Sequence, residues 1–208
     1  MHEYAVIIAN GEVSQALRLR KIVRQASMVV CANGGTRHAL RMGVQPDVVI
    51  GDLDSLPVGV RKRLKHARFI SSPDQNQTDL EKAIRYLLRQ KVKRIVIFGA
   101  TGKRIDQTVA NLSLLEKYQG RAHLTFIDPS GTVELVRSSA NFRGIPGESF
   151  SLLPIGRVEG VTTKGLLYPL VNETLEPGTR GVSNEVTGRS VEIRVRRGKL
   201  LLVKLFRR

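Results

Sequence analysis

Short apolar runs and amphipathic stretches take turns along the first two-thirds of the chain. Tyr4–Ala9 is almost wholly apolar and reads as a buried strand, and Met28–Ala32, Asp47–Ile50, Arg94–Phe98 and Leu124–Ile127 repeat that pattern. Between them lie segments with helical spacing. Ser14–Gln25 offers Ala16, Leu17 and Ile22 as core positions, and Gly34-Gly35 precedes a short helix through Ala39-Leu40. Val58–Lys65 reads as a basic helix. Leu80, Ala83, Ile84, Leu87 and Leu88 fall at i, i+3, i+4, i+7 and i+8, a one-face stripe. Ile105–Glu116 is a further helix, with Ile105, Val109, Leu112 and Leu115 expected inward. Strands alternating with helices of this length predict a parallel sheet covered on both faces.

After about Gly131 the helical period disappears. Gly and Pro become frequent (Gly144, Pro146, Gly147, Pro154, Gly156, Gly160, Gly165), and short alternating segments such as Val191/Ile193/Val195 take over. Arg197-Gly198 reads as a turn into Leu200–Leu205. The expected organisation is an α/β domain over residues 1–135, then an all-β domain over 136–208. A β domain that small is marginal alone and should dock on the first domain or on a partner subunit.

Composition narrows the function classes. The chain has 208 residues, 41% apolar and 25% charged, enough for an ordinary core. No apolar run approaches a membrane span, and the opening Met1-His2-Glu3-Tyr4 lacks a signal peptide's basic leader. The lone cysteine, Cys31, excludes an intramolecular disulfide, so a cytoplasmic protein is expected. The net charge of +16 raises the question of a nucleic-acid surface. The basic residues are spread along the chain, from Arg18 to Arg208, with no interleaved aromatics and no Trp. They are read as a solvated exterior that attracts anionic substrates.

Against that basic background, two acidic segments stand out. Gly51-Asp52-Leu53-Asp54-Ser55 and Asp74-Gln75-Asn76-Gln77-Thr78-Asp79 each follow a strand-like run, and the second opens the most regular helix. Asp52 and Asp54 project to one side if the chain stays extended. Carboxylates at strand ends suit a hard divalent cation and the phosphates it neutralises. Thr78 and Glu81 form a capping box in sequence, which leaves Asp79 less fully explained. Gly99-Ala100-Thr101-Gly102-Lys103-Arg104 is strand, Gly-rich turn and helix start, a place where N–H groups cradle phosphate, although its spacing is not that of a Walker A loop. Asp106 and Gln107 follow in the first turn of that helix. The residues together predict an Mg²⁺-nucleotide enzyme.

The segments Ala32-Asn33-Gly34-Gly35, Asp47 to Ser55, Pro73 to Asp79 and Gly102 to Gln107 stand in one order, followed by Lys164 to Leu170 and Gly181-Val182-Ser183-Asn184-Glu185. In that order they resemble the thiamine pyrophosphokinase family nearly end to end. The resemblance implies a Rossmann-like catalytic domain and a β-sandwich domain, working as a homodimer with ATP and thiamine as substrates and Mg²⁺ as cofactor. It implies Asp52, Asp54 and Asp79 as metal ligands, with Arg104 and Asp106 joining them as catalytic residues. ATP would be held by Asn33, Gly34, Gln75, Thr78, Gly102 and Lys103, and thiamine by Gln107, Ser183 and Asn184. The family usually carries Asp where this chain has Asn33 and Asn76, so two negative charges near the expected metal are missing.

The implied reaction transfers the pyrophosphoryl group of ATP to the primary alcohol of thiamine, giving thiamine diphosphate and AMP. Lys103 or Arg104 would assist charge neutralisation, and either Asp52 or Asp106 would accept the alcohol proton. Two other readings stand beside it. One is transfer to another hydroxymethyl heterocycle such as a pterin; the other is a basic nucleic-acid-binding protein with a degenerate nucleotide site.

Overall fold

The computed structural model describes residues 4–14, 16–54, 56 and 59–207. Ser55, Val58 as the expected helix start, Met1-His2-Glu3 and Arg208 lie outside the described residues. The chain has a mixed α/β fold and divides into two compact units, Met1–Pro129 and Ser130–Arg208. That division falls ahead of the change placed at 135/136 by the sequence pattern, because the turn at Asp128–Ser130 already leads into antiparallel strands.

Among the described residues of the first unit, six parallel strands run β1 (Ala5–Ile8), β2 (Met28–Ala32), β3 (Val48–Gly51), β4 (Arg68–Ser71), β5 (Arg94–Phe98) and β6 (His123–Ile127). Their spatial order is β4-β3-β2-β1-β5-β6, so the chain builds outward from β1 to one edge and then returns to the other side of β1. Every residue of β1 is buried, as expected for a central strand covered on both faces. Each fully buried Ile there contributes about 1.5–3 kcal/mol. The helices are α1 (Ala16–Val23), α2 (Thr36–Arg41, after a 3₁₀ turn at Asn33–Gly35), α3 (Val60–Arg63), α4 (Asp79–Arg89) and α5 (Ile105–Lys117). The stripe expected on α4 is inward: Leu80, Ala83, Ile84 and Leu87 are buried, and Leu88 is half-buried.

Two helices face differently from the sequence expectation. On α1 the inward residue is Leu19, flanked by half-buried Ala16, Ile22 and Val23, while Leu17 is 83% exposed. Leu17 lies one position, about 100°, from Ala16 and cannot share its face. On α5 the inward residues are Asn111, Leu114 and Leu115, continued by Tyr118, whereas Ile105 and Val109 are exposed. The true stripe is masked in sequence by its polar member. Asn111 is buried because its Nδ2 donates to the Ala100 carbonyl at 2.7 Å.

In the second unit the described residues form strands and no helix: β7 (Gly131–Val136), β8 (Ser139–Arg143), β9 (Ser149–Lys164), β10 (Glu173–Leu175), β11 (Asn184–Glu185), β12 (Ser190–Arg194) and β13 (Arg197–Leu205). All their pairings are antiparallel. β9 pairs in turn with β11, β13, β10 and β12 along its length. Pro154, Gly156 and Gly160, which the sequence pattern counts among turn residues, lie inside this one long strand. Gly156 and Gly160 take positive φ and let it bend. Arg197-Gly198 is likewise not a turn. It opens β13, with a register shift against β9 between Arg197 and Lys199. Phe150, Leu152, Val158, Val161, Ile193 and Leu202 lie in the core of this unit.

Candidate active site

A cleft of about 250 Å³ opens at the carboxyl ends of β1, β2, β3 and β5 in the first unit. It straddles β1 and β5, where the strand order reverses and successive loops diverge, the place where open parallel sheets bind ligands. Its lining comes from the loop after β1 (Asn10, Gly11), the turn after β2 (Asn33, Gly34), Asp52, the approach to α4 (Gln75, Gln77, Thr78, Asp79), Lys82, the Gly-rich turn and α5 (Gln107, Asn111).

Close backbone contacts hold these loops together. Gly11 N–H donates to the Gly99 carbonyl and Glu12 N–H to that of Thr101, both at 2.7 Å. A Cβ on Gly35 would stand 1.9 Å from the Ile8 carbonyl oxygen, so the turn after β2 can rest on β1 only as glycine. Behind the first loop, His38 Nε2 lies 2.9 Å from the Gly11 carbonyl, and Arg41 reaches both the Val13 carbonyl and His38 Nδ1. With Arg41 donating to Nδ1, the proton sits on Nε2 and is donated to Gly11. Burial, together with the charges of Lys103 and Arg41, holds this imidazole below its ordinary pKa.

Asp52 and Asp79 come together on one group. Asn33 Nδ2 donates to Asp52 Oδ1 at 2.7 Å and to Asp79 Oδ2 at 3.1 Å. Lys82 Nζ lies 3.2 Å from the other oxygen of Asp79. Gly51 makes this possible, since a Cβ there would lie 2.7 Å from Asn33 Cβ and 3.2 Å from Asp79 Cγ. Asn33 is 6% exposed, and its Oδ1 is buried without a partner. Asp54 is not gathered in: it is exposed, outside the cleft lining, and its N–H donates to Asp52 Oδ1 at 3.2 Å. No three His, Cys, Asp or Glu side chains form a metal-binding group among the described residues. The donor set is two carboxylates and a carboxamide, which suits Mg²⁺. That ion takes one or two carboxylates and leaves its other positions to water and phosphate.

The capping box forms only halfway. Thr78 Oγ1 accepts from Glu81 N–H at 3.2 Å, but Glu81 turns inward to Tyr118 Oη and Lys117 Nζ, each at 2.6 Å. Burial pushes the Glu81 carboxyl up, and Lys117 and Tyr118 together outweigh it and bring the net shift down. Gln75 and Thr78 line the cleft as expected. Asn76 faces its own loop, both its N–H groups donating to Asp74 Oδ1.

At α5, Gly102 and Gln107 line the cleft, while Lys103, Arg104 and Asp106 stand outside its lining. Lys103 Nζ donates to the Asn10 carbonyl at 2.5 Å. Arg104 and Asp106 form an exposed pair at 2.5 Å, and Arg104 holds the Asp106 carboxyl below the usual range.

In the second unit Ser183 is exposed, with a positive φ of 59°. Asn184 is buried. Its Oδ1 accepts from the Tyr168 and Glu185 N–H groups, and its Nδ2 donates to the Tyr168 carbonyl. That carboxamide is largely committed to holding Tyr168, whose own side chain is exposed.

Sequence reasoning missed Asn10, Gly11, Gln77, Lys82 and Asn111 in the lining. Lys82 had a signal, a cation three residues after Asp79 and so on its face of α4. Asn111 had one too, a polar residue in an apolar helical stripe.

Comparison with known proteins gives one answer. Residues 19–126 match the family description "Thiamin pyrophosphokinase, catalytic domain", and residues 136–200 match "Thiamin pyrophosphokinase, vitamin B1 binding domain". The chain is 26% identical to the thiamine pyrophosphokinase of Bacillus subtilis (strain 168), across 95% of this chain and 96% of that one. It is 26% identical to thiamine pyrophosphokinase 1 of Oryza sativa subsp. japonica, across 91% and 83%. The crystal structure of thiamin pyrophosphokinase from Geobacillus thermodenitrificans superposes with a TM-score of 0.85 at 25% identity, covering 98% of each chain.

Proposed function

The chain belongs to the thiamin pyrophosphokinase family, and on that premise we propose that the cleft at the β1–β5 switch is where it performs the family's reaction. Its activity is ATP-dependent pyrophosphoryl transfer to thiamine, and neither the pterin nor the nucleic-acid reading is favoured. The observation that carries the placement is the convergence of Asp52 and Asp79, with Lys82 beside them, in a cleft rich in glycines and side-chain amides.

In this reading Asp52 and Asp79 would hold Mg²⁺, which supplies charge neutralisation on the polyphosphate. Lys82 brings a fixed cation to the same wall. Gly34, Gly99 and Gly102 let the loops of this wall pack closely, since a Cβ on each would strike Asn10, the Ala9 carbonyl oxygen and Glu12. Gln75, Thr78, Gln107 and Asn111 offer hydrogen bonds to the substrates. The thiamine alcohol oxygen bonds to the β-phosphorus, the bond to the α-phosphate oxygen breaks, and AMP leaves. Asp106 is a weak proton acceptor because Arg104 depresses it, so its role is to aim Arg104. Asp54, outside the lining, acts through the Asp52 loop.

The same reading takes the first unit as Rossmann-like and the second as a β-sandwich presenting Ser183 and Tyr168 to thiamine. It takes the enzyme as a homodimer, supported within each unit by exposed apolar residues: Ile105 and Val109 in the first, Leu167, Tyr168 and Val171 in the second. A cytoplasmic location belongs to the proposal as well, supported by the buried free thiol of Cys31.

Purified protein with Mg-ATP and thiamine should release AMP and thiamine diphosphate in equal amounts. ADP formation, or AMP release indifferent to thiamine, would overturn the reading.

A further inference from the structure

Asn33 lines the cleft in an arrangement that costs it a hydrogen bond. Its Nδ2 is used twice, by Asp52 and by Asp79, while its Oδ1 is buried and has no partner. A half-turn of the carboxamide would exchange the two atoms with almost no change of shape. That turn would set a carbonyl oxygen against two carboxylates, three acceptors with no donor among them. Without a cation the observed orientation therefore wins despite its unpartnered carbonyl. With a hard divalent cation between the carboxylates the preference reverses, because the carbonyl becomes a ligand and the N–H groups become the misfit.

We propose that the Asn33 carboxamide is a reversible clasp. It ties Asp52 to Asp79 when no cation is present, and it turns over on cation binding to add Oδ1 to their two carboxylates. The inference rests on the cation-nucleotide reading of this cleft. The neighbours fit the role. Asp79 keeps its other oxygen on Lys82, and Asp52 Oδ1 also receives the Asp54 N–H, so both carboxylates stay in place while the amide turns. Asn33 is held by its backbone in the 3₁₀ turn after β2, where its carbonyl accepts from Thr36 Oγ1 at 2.9 Å, so only the side chain need move.

The clasp has a thermodynamic consequence. A neutral amide joins the two carboxylates without adding charge, so the cleft is assembled before any metal arrives, and its pull on the cation is weaker than three carboxylates would exert. Metal-stripped protein should stay folded, and Mg²⁺ should raise its melting temperature by less than it raises that of a variant with a third carboxylate. Asn33→Asp places a third carboxylate there. It should lower the melting temperature in EDTA, regain it in Mg²⁺, and bind Mn²⁺ roughly tenfold more tightly or better.

The direct test is side-chain amide NMR on protein labelled with ¹⁵N-asparagine, with Asn33 identified by the signal missing in Asn33→Asp. Without metal its NH₂ protons should exchange slowly with solvent, as hydrogen-bonded donors do. On titration with Mg²⁺ they should shift and lose that protection. Unchanged NH₂ signals while Mg²⁺ binding is registered calorimetrically would overturn the proposal. So would a variant Asn33→Asp whose Mn²⁺ affinity and EDTA melting temperature equal the native ones. If Asn33→Asp does not fold in either buffer, Asn33→Gly keeps the positive φ of 39° and removes the amide. It should then melt lower than native in EDTA, with part of the loss restored by Mg²⁺, and equal melting would count against the clasp. Mg-ATP binding by the native protein is measured alongside. Its absence would overturn the reading of the site, whereas ATP binding with a silent Asn33 would overturn only the clasp.

Discussion

Two acid–base pairs stand at the N-termini of α4 and α5, the two longest helices among the described residues, and they differ in burial and in setting. At α4, Asp79 pairs with Lys82, whose side chain is 7% exposed, and both line the cleft. At α5, Arg104 and Asp106 pair at 68% and 61% exposure, outside the cleft lining. The first pair is locked: Asp79 is also held by Asn33, and α4 is anchored along its length by buried Leu80, Ala83, Ile84 and Leu87. The second is loose, since its helix begins with exposed Ile105 and lacks a side-chain cap. A locked carboxylate serves a ligand that needs fixed oxygens. A solvated Arg–Asp pair contributes little to stability, but its guanidinium is free to swing onto a phosphate.

This contrast predicts how each pair fails. Asp79→Asn should have the largest effect. Turnover should fall about a hundredfold or more, on the scale of losing one fixed electrostatic group in a closed site. The melting temperature should fall too, because the buried Lys82 amine loses its partner. Asp54→Asn, outside the cleft, should do clearly less in both assays, and an equal loss of turnover would place Asp54 back among the essential ligands.

Arg104→Ala should reduce turnover by about tenfold, the lower range for a positioned charge, with no change in the thermal melt. A marked melting shift would show that the exposed pair is structural after all. Asp106→Asn should follow Arg104→Ala in part and leave the pH dependence of turnover where it was. A displaced limb would mean that Asp106 accepts the proton.

In the second unit, Asn184→Ala should destabilise the protein by about 1 kcal/mol, since the part-buried hydrogen bonds from its carboxamide to the Tyr168 backbone are lost. Ser183→Ala should leave stability alone and raise the thiamine KM more than that of ATP. Denaturant unfolding and steady-state kinetics on both variants decide the assignment, and identical profiles would mean that neither reading of the element holds.

The smallest effect concerns pH. His38 is neutral in the fold, its pKa depressed first by burial. The unfolded chain therefore takes up a proton that the folded chain resists, and stability contributed by neutral His38 is present above the ordinary histidine value and lost as pH falls below it. His38→Gln, which cannot titrate, should show a smaller acid-induced drop in melting temperature between neutral and mildly acidic buffer. An unchanged drop would assign the acid sensitivity to other groups.

Which parts were legible beforehand follows from the same physics. The α4 stripe was readable because five apolar residues kept helical spacing without interruption. The α5 stripe was not, because Asn111 was recruited to the Ala100 carbonyl, a partner set by the fold and invisible in spacing. The capping box was half readable. Thr78 caps its own helix, a local matter, but Glu81 answered to Lys117 at the end of α5 and Tyr118 just after it. Asp52 and Asp79 were chosen for residue type and position at strand and helix ends, and they do meet. Asp54 was chosen by the extended-chain rule, and the chain does not stay extended: Leu53 has φ of 66°, which turns Asp54 away.

The sequence by itself determined the alternation of strand and helix, the change to antiparallel strands near residue 130, and the family through motifs kept in order. These depend on local period and on residue type, which the chain carries wherever it goes. Tertiary structure decided which carboxylates share a donor, which helix face is buried, and that Asn33 sits between Asp52 and Asp79 with its carbonyl unpartnered. Those are outcomes of contacts between segments far apart in the chain. Their energies come from desolvation and hydrogen bonding at a meeting point that no single segment encodes.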